Sequence, residues 1–258
     1  MKKILLLAVI AAGLVAGASC QKIGPVETGG NVSFEIQTPV DAATKAIGDG
    51  ENVNIVYYEI YKAESGHVNS LIGGTPLVDG TVGMSGKVAT LNLNLLEDQD
   101  YVALFWAQVN GKNYYNVGDL RNVTVNYPNE VNNKTLANDE DRAAFCKSQV
   151  FGTGANVRVV LERPFAQINL GTSLSSIDKT VNGYDINLEQ SSMTVKGVAN
   201  SFNVAAMTAG DTEVNVEFSY ATLPYVFNPS ETLVANNQTW AYAGMNYVLV
   251  PDDAATVD

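Results

Sequence analysis

The feature that most restricts the fold of this 258-residue chain is an alternation of apolar and polar side chains with a period of two, repeated in short segments. In residues 31–39 it places Val32, Phe34 and Ile36 on one side and polar residues on the other. Such alternation half-buries a β-strand, whereas a helix needs a period of 3.6 residues. Alternating, β-branched or aromatic segments predict further strands at 53–61, 87–95, 123–127, 157–170, 193–207, 214–223 and 242–250.

Two segments depart from simple alternation. Residues 101–109 (YVALFWAQV) are nearly all apolar and predict a central strand covered on both faces. Residues 140–147 follow Asn138 and Asp139, either of which can cap a helix, and predict one short helix with Cys146 near its buried side. Pro164 interrupts the strand at 157–170 and belongs at an edge or bulge, because proline cannot donate to a ladder.

The pattern as a whole predicts a mainly β protein of the sandwich type. A polar, turn-rich segment at 128–141 separates an earlier from a later group of strands. The length fits two domains of about 100–120 residues or one large β-domain.

The first residues predict export from the cytoplasm. Lys2 and Lys3 precede an apolar run at 4–16, and three small residues follow before Cys20. The run is shorter than the roughly 20 residues that cross a bilayer, so residues 1–19 are interpreted as a signal peptide. A Cys directly after small residues resembles a bacterial lipobox, although Gly17 stands where Leu is usual. We therefore expect Cys20 to carry a diacylglycerol; the alternative is a plain secretory signal with a coincidental Cys.

The charge of the mature chain excludes a class of partner. Removal of Lys2 and Lys3 leaves 13 of the 15 basic residues and all 27 acidic ones, which gives a net charge of −14. An acidic surface repels phosphate backbones and anionic headgroups, so we expect no nucleic-acid partner. Attachment to a membrane would come from acyl chains and not from a basic patch.

The two cysteines leave no internal disulfide if Cys20 is lipidated. Cys146 is then expected to be a small core residue and not a reactive thiol. A mature chain of this length can fold without a disulfide because most of its apolar surface can be buried.

Residues suited to catalysis or metal binding are few. The single histidine, His67, lies in a polar turn with no Cys and no second histidine nearby in sequence. Asp49, Glu51 and the acidic run 139–141 lack the ligand spacing of an EF-hand, and we interpret them as solvated turn residues. No phosphate-binding glycine loop and no G-x-S-x-G sequence occurs. We predict no enzyme activity, no metal and no cofactor.

Four segments, taken together with Cys20, resemble the fimbrillins, the type V pilins of Bacteroides-like bacteria, and their lipoprotein relatives. They are residues 44–50 (TKAIGDG), 56–61 (VYYEIY), 163–172 (RPFAQINLGT) and 244–251 (GMNYVLVP). The resemblance covers essentially the whole chain and depends on the order and spacing of the segments.

The resemblance implies two transthyretin-like β-sandwich domains in tandem, with the short helix near their junction. Residues 20–46 would be an anchored N-terminal segment carrying the first strand, residues 47–150 the first sandwich, and residues 151–258 the second. Such precursors reach the outer membrane surface as lipoproteins. A trypsin-like protease then removes the N-terminal segment, and a strand of a neighbouring subunit fills the groove.

In this chain the resemblance puts the cleavage between Lys45 and Ala46, which releases the strand carrying Val32, Phe34 and Ile36. Lys45 stands where the family commonly has Arg, so a lysine-specific or general trypsin-like enzyme is expected. An uncut chain would be a retained anchor or no polymer subunit. The implied partners are other pilus subunits through strand exchange, the outer membrane through acyl chains, and host or bacterial surface ligands in adhesion.

The last eight residues (PDDAATVD) are a turn followed by what looks like the start of a strand. We expect a truncated chain, with strands supplied from elsewhere as the alternative. In the family the missing strands are the expected donor, so this chain would accept a strand without giving one.

Two other functions remain open at this stage. An outer-membrane glycan-binding lipoprotein would share the anchor and the sandwiches, and Trp106, Trp240, Tyr242, Tyr247 or the pair at 114–115 could stack on sugar rings if exposed. A secreted glycosidase would need two carboxylates held about 5–10 Å apart in a cleft.

Overall fold

The computed structural model describes residues 29–39, 50–63, 71–72, 74–127, 134–137, 139–172, 180–181, 184–185, 192–219, 232–235, 238–251 and 256–257. Within these ranges no helix is long and apolar enough to cross a membrane. The prediction of a mainly β protein is confirmed, since the regular elements of the described residues are strands and two 3-10 turns.

The strands follow in chain order. The earlier ones are β1 (Gly29–Gln37), β2 (Ile55–Ala63), β3 (Leu71–Ile72), β4 (Val78–Gly83), β5 (Val88–Leu96), β6 (Asp100–Gln108), β7 (Tyr115–Asn116), β8 (Val123–Val125), β9 (Thr135–Leu136), β10 (Phe145–Gly152) and β11 (Asn156–Val160). The later ones are β12 (Ala166–Thr172), β13 (Thr180–Val181), β14 (Tyr184–Asp185), β15 (Ser192–Ala199), β16 (Ser201–Asn203), β17 (Thr208–Ala209), β18 (Glu213–Ser219), β19 (Thr232–Ala235), β20 (Gln238–Val248) and β21 (Thr256–Val257). The 3-10 turns are Leu120–Asn122 and Glu140–Arg142.

Two sheets of the first half form a sandwich. One has the order β11-β1-β5, and the other has the order β10-β6-β2-β3 with β4 also paired to β2. Phe34 of β1 meets Phe105 of β6 and Phe151 of β10 edge to face, with ring centroids 5.5 and 4.8 Å apart. Rings from one sheet therefore interlock with rings from the other, which is how two sheets share one core.

The predicted central strand is confirmed. β6 lies between β2 and β10, and every residue from Tyr101 to Gln108 is buried. The predicted alternation of β5 is also observed, because Ala89, Leu91 and Leu95 are buried while the residues between them are exposed or partly exposed.

Strands from both halves of the chain join in two further sheets. Their orders are β17-β16-β8-β7 and β21-β15-β18-β9. Tyr127, which follows β8, is buried and donates its hydroxyl hydrogen to the carbonyl of Ala199 while accepting from the backbone N–H of Leu249. β11 (Asn156–Val160) belongs to the same sheet as β1.

The structure brings together two of the segments that carry the family resemblance. β12 and β20 pair antiparallel, with Ala166 opposite Val248. The Arg163 guanidinium lies 5.1 Å from the Phe145 ring centre and 5.4 Å from that of Tyr247, and it donates to the Tyr247 hydroxyl at 3.2 Å. A cation between two aromatic faces links β10 to β20.

The predicted helix at 140–147 is wrong beyond its first turn. Only Glu140–Arg142 is helical, and it is a 3-10 turn whose N-cap Asp139 makes no side-chain cap hydrogen bond. Residues Phe145–Gly152 form β10, which pairs along its whole length with the buried strand β6. The ladder with β6 satisfies the backbone and buries Phe145 and Cys146, and these tertiary contacts outweigh a weak local preference for helix.

The predicted strand at 157–170 is two strands in two different sheets. β11 ends at Val160 beside β1, and β12 begins at Ala166 beside β20. Pro164 lies in the connection between them and not at an edge or bulge of either strand, so that expectation is corrected. Proline is suited to this place because the connection requires no ladder hydrogen bond from it.

Cys146 is buried in β10, with no exposed surface, and burial raises the pKa of its thiol. Because only the thiolate reacts readily, we expect no modification of Cys146 by a thiol reagent in the native protein and complete modification after unfolding. The measurement is mass spectrometry of a Cys20→Ser variant after timed exposure to the reagent. The control is a Thr90→Cys variant, whose new thiol lies at an exposed position and should react at once. Reaction of Cys146 in the native protein at a similar rate would contradict the prediction.

Candidate functional site

β1 is an inner strand that comes first in the described chain. It pairs antiparallel with β5 over all of its nine residues, from Gly29 opposite Leu96 to Gln37 opposite Val88. On its other side it pairs parallel with β11, from Ser33 opposite Asn156 to Gln37 opposite Val160. An N-terminal segment therefore occupies the middle of a sheet and supplies hydrogen bonds to both neighbours.

The inward face of β1 belongs to the sandwich core. Val32, Phe34 and Ile36 are the predicted residues of this strand, and their exposed fractions are 1%, 0% and 0%. Burial of each such side chain contributes about 1.5–3 kcal/mol. The ring of Phe34 lies in a slot formed by Phe105 and Phe151. Removing β1 would empty this slot and also the parts of the core that Val32 and Ile36 fill.

The outward face of β1 is polar and contributes much less. Asn94 donates to Asn31 at 3.0 Å, and Arg158 donates to Gln37 at 3.1 Å. Arg158 Nε also lies 3.7 Å from Glu35 Oε1, with both side chains more than half exposed. Exposed pairs of this kind contribute about 0–1 kcal/mol, so the strand is held by its buried face and its two ladders.

The arrangement is suited to exchange of one strand for another. Without β1, the facing backbone groups of β5 and β11 would lose their partners while an apolar groove became exposed. A strand with the same alternation, and with side chains that fit the groove, could restore both the ladders and the core. The pairing partners β5 and β11 could not be inferred from the sequence, because alternation indicates a face and not a neighbour.

Several predicted residues lie outside the described residues. They are Cys20, the cleavage residues Lys45 and Ala46, Asp49 and His67. Lipidation and processing therefore stay predictions. No described group of three His, Cys, Asp or Glu residues is placed to hold a metal ion.

The aromatic residues considered for sugar stacking are buried wherever their side chains are described. Trp106 has no exposed surface and donates from Nε1 to Gln108 Oε1 at 3.0 Å. Tyr247 is 3% exposed, and Tyr114 and Tyr115 are 9% and 6% exposed. These rings belong to the core, and they cannot stack on a sugar at the surface.

A buried carboxylate that sequence reasoning missed lies in the same sandwich. Glu59 of β2 accepts from the Tyr61 hydroxyl at 2.7 Å and from the backbone N–H of Leu120 at 3.0 Å. Arg121 lies over the Tyr61 ring at 5.1 Å and is paired with Asp119. The sequence signal was an acidic residue inside an otherwise apolar and aromatic strand, and the function of this group is to attach the 3-10 turn Leu120–Asn122 to the sheet.

Burial raises the pKa of the Glu59 carboxyl above 4.5, and the bonds from Tyr61 and Leu120 only partly oppose the shift. A carboxyl with a raised folded-state pKa binds its proton more tightly in the native protein than in the unfolded chain. Its contribution to the free energy of unfolding is therefore greatest at low pH and falls as the pH rises from the unfolded-state pKa through the folded-state pKa.

We expect the difference in melting temperature, Glu59→Gln minus wild type, to become more positive as the pH rises between about pH 4 and pH 7. Differential scanning calorimetry of both proteins at several pH values measures this difference. The neighbouring carboxylate of Asp119 is present in both proteins, so its effect largely cancels in the comparison. The Thr90→Ala variant, at an exposed position of β5, changes no titratable group and should show no such trend. A difference between Glu59→Gln and wild type that stays constant with pH would refute the prediction.

Comparison with known proteins gives one family and several distant structures. The model of a family described as "Family of unknown function (DUF6562)" matches residues 25–258. No protein of curated function matches the chain significantly. A fimbrial assembly protein from Parabacteroides distasonis is 14% identical, with 89% of this chain and 81% of that chain covered and a TM-score of 0.39.

Two further solved structures are similarly distant. A candidate adhesin from Bacteroides ovatus is 11% identical, covering 93% of this chain and 74% of that one, with a TM-score of 0.48. The fimbrial anchor protein Mfa2 from Porphyromonas gingivalis is 9% identical, covering 89% and 76%, with a TM-score of 0.43.

Proposed function

The chain belongs to the family of unknown function DUF6562, and from the position of its first strand we propose that it is a fimbrial (pilus) subunit or anchor that assembles by β-strand addition. The observation that carries the proposal is β1 itself, an inner strand from the beginning of the chain whose inward face is fully buried. The sequence resemblance to fimbrillins supports the same function. The proposed role is structural and adhesive and involves no catalysis.

The proposal includes the maturation steps that the sequence predicts. The chain is exported, lipidated at Cys20 and held on the outer membrane by its acyl chains. Cleavage between Lys45 and Ala46 separates β1 from β2 in the covalent chain. The chain consists of two sandwich domains in tandem.

Cleavage alone does not empty the groove. β1 remains bound by two ladders and by three buried side chains after the connection to β2 is cut. Release requires the incoming strand to replace those contacts as the old strand leaves, because an empty groove would expose apolar surface and unpaired backbone groups. This favours a stepwise exchange over dissociation followed by binding.

The test is intact mass and N-terminal sequencing of the protein from outer-membrane and surface-shed fractions. Polymers whose chains begin at Ala46 are expected in the shed fraction, and chains that begin at a lipidated Cys20 are expected in the membrane. Lys45→Ala should abolish the polymers, whereas Lys62→Ala, at an exposed position of β2, should not. A chain that keeps its first strand and stays monomeric in every fraction would refute assembly by strand exchange, and an intact lipidated chain at the base of polymers would identify an anchor.

A further inference from the structure

The beginning of β1 is packed more closely than a strand with ordinary side chains allows. Gly30 is buried, and a Cβ atom built on it would lie 2.7 Å from the Cβ of Thr153 and 3.1 Å from the Cγ of Glu97. Separations below 3.0 Å do not occur between real side chains, so one of the two backbones would have to move. Gly30 is thus required by space, since its backbone is in an ordinary strand conformation.

The neighbour at this position cannot give way easily. Thr153 lies in the turn between β10 and β11, and its Cβ is attached directly to the backbone. The next residue, Gly154, donates its N–H to the carbonyl of Asn31 at 3.1 Å, and Ser33 donates to the carbonyl of Ala155 at 3.2 Å. The turn is therefore tied to β1 by two hydrogen bonds directly after the close contact, and a larger residue would strain the hydrogen bonds that hold the strand.

Gly29 is different, although a Cβ there would also be too close to a neighbour. The obstructing atom is the Oδ1 of Asn94, at the end of a side chain that can rotate. Its present position depends on a hydrogen bond to Asn31, which is itself part of β1. A new strand could therefore displace Asn94 at little cost, and the steric requirement rests on the position of Gly30.

From Gly30 onward, the groove selects side chains at every second position. The residue two places later, Val32, is buried opposite Leu93, and Ile36 is buried opposite Ala89. Between them Phe34 fits the slot between Phe105 and Phe151. Among the 22 glycines of the chain, Gly30 alone is followed by apolar residues at the second, fourth and sixth positions.

We propose that the groove of β1 accepts a donor strand only in the register that places a glycine against Thr153, followed by apolar residues at the second, fourth and sixth positions with an aromatic ring at the fourth. The proposal rests on assembly by strand exchange, and it states which donor strands the groove accepts. Thr153 is the residue that excludes other registers, because a shift of the chain's own strand by two residues would bring Val32 or Thr28 against it in place of the glycine. The partner is a subunit with a strand of this pattern.

The steric part is tested in the intact chain by a double-mutant cycle. Gly30→Ala should lower the melting temperature by several degrees, on the order of 3–6 °C, because overpacking strains the core. Thr153→Gly removes the obstructing Cβ, so the double variant should recover much of that loss. Gly83→Ala is the matched control, because a Cβ there meets nothing within 4 Å. A neutral Gly30→Ala variant, or strictly additive effects of the two substitutions, would overturn the steric requirement.

The partner part is tested by exchange with synthetic strands. The full chain, with a specific protease site inserted between residues 45 and 46, is cut and mixed with labelled peptides of residues 28–39. Uptake is followed by native mass spectrometry. The peptide with Gly30→Ala should be taken up at least about tenfold less than the unmodified peptide. A Glu35→Ala peptide, altered at an exposed position, should exchange like the unmodified one.

The outcomes separate the two ideas. Equal uptake of the unmodified and Gly30→Ala peptides would preserve strand exchange and overturn the glycine requirement. Absence of uptake of the unmodified peptide would overturn strand exchange itself, and with it any role of the glycine in choosing a partner. Recovery of Gly30→Ala uptake in a Thr153→Gly protein would assign the selection to that residue.

Discussion

Replacement of Phe34 by alanine is expected to lower the free energy of unfolding by about 3–5 kcal/mol. The ring has no exposed surface, and it joins the two sheets through edge contacts with Phe105 and Phe151. Its removal leaves a cavity between β6 and β10 of the opposite sheet, and the backbones of paired strands cannot move together to close it. Urea unfolding followed by circular dichroism gives the free energy, and a Phe34→Leu variant should lose only about 1 kcal/mol because most of the volume is retained.

The control for this prediction is the next residue of the same strand. Glu35 points outward, is more than half exposed, and lies 3.7 Å from Arg158 Nε through its Oε1. Glu35→Ala should change the free energy of unfolding by less than about 0.5–1 kcal/mol. Equal losses in the free energy of unfolding for Phe34→Ala and Glu35→Ala would mean that the inward face of β1 does not hold the strand. Strand exchange could then not depend on refilling the apolar groove.

Replacement of Arg142 by alanine is expected to lower the free energy of unfolding by about 3–5 kcal/mol. The substitution would leave the largely buried carboxylate of Asp139 without its cationic partner. The Arg142 side chain is only 3% exposed, and its guanidinium lies 4.2 Å from the centre of the Tyr114 ring. Both terminal nitrogens donate to the carbonyl of Asn126 at 3.3 Å, and Nε lies 3.8 Å from Asp139. One side chain therefore connects the 3-10 turn Glu140–Arg142 to the residues around β7 and β8.

Two comparisons make the Arg142 prediction specific. Arg142→Lys should recover little stability, because an ammonium cannot both stack on Tyr114 and donate twice to one carbonyl. Arg158→Ala removes an exposed guanidinium and should be nearly neutral in the same thermal and urea experiments. If Arg142→Lys were as stable as the wild type, a positive charge alone would account for the effect and the stacked geometry would not matter.

The alternation in the sequence correctly predicted the buried faces of β1 and β5. Val32, Phe34 and Ile36 are inward, and the polar residues of β1 and β5 are outward, because the side-chain period of a strand is a property of the backbone itself. The nearly continuous apolar segment around Trp106 likewise indicated a strand covered on both faces. These predictions succeeded because they depend only on neighbours a few residues apart.

Other features depended on contacts between distant parts of the chain. Residues Phe145–Gly152 had a local preference that allowed a helix, and the long ladder with β6 made them a strand. Glu59 was visible as an unusual acid in a strand, but its partner is the N–H of Leu120, 61 residues away. Gly30 was visible as a glycine, but nothing local placed the turn of Thr153 against it.

The sequence by itself thus determined that this is a β protein and which side of its first strand is buried. The tertiary structure decided that β1 is an inner strand between β5 and β11. The physical reason is that alternation is encoded residue by residue, whereas the choice of a neighbour is made by packing and ladder formation between segments such as those of Gln37 and Arg158, 121 residues apart.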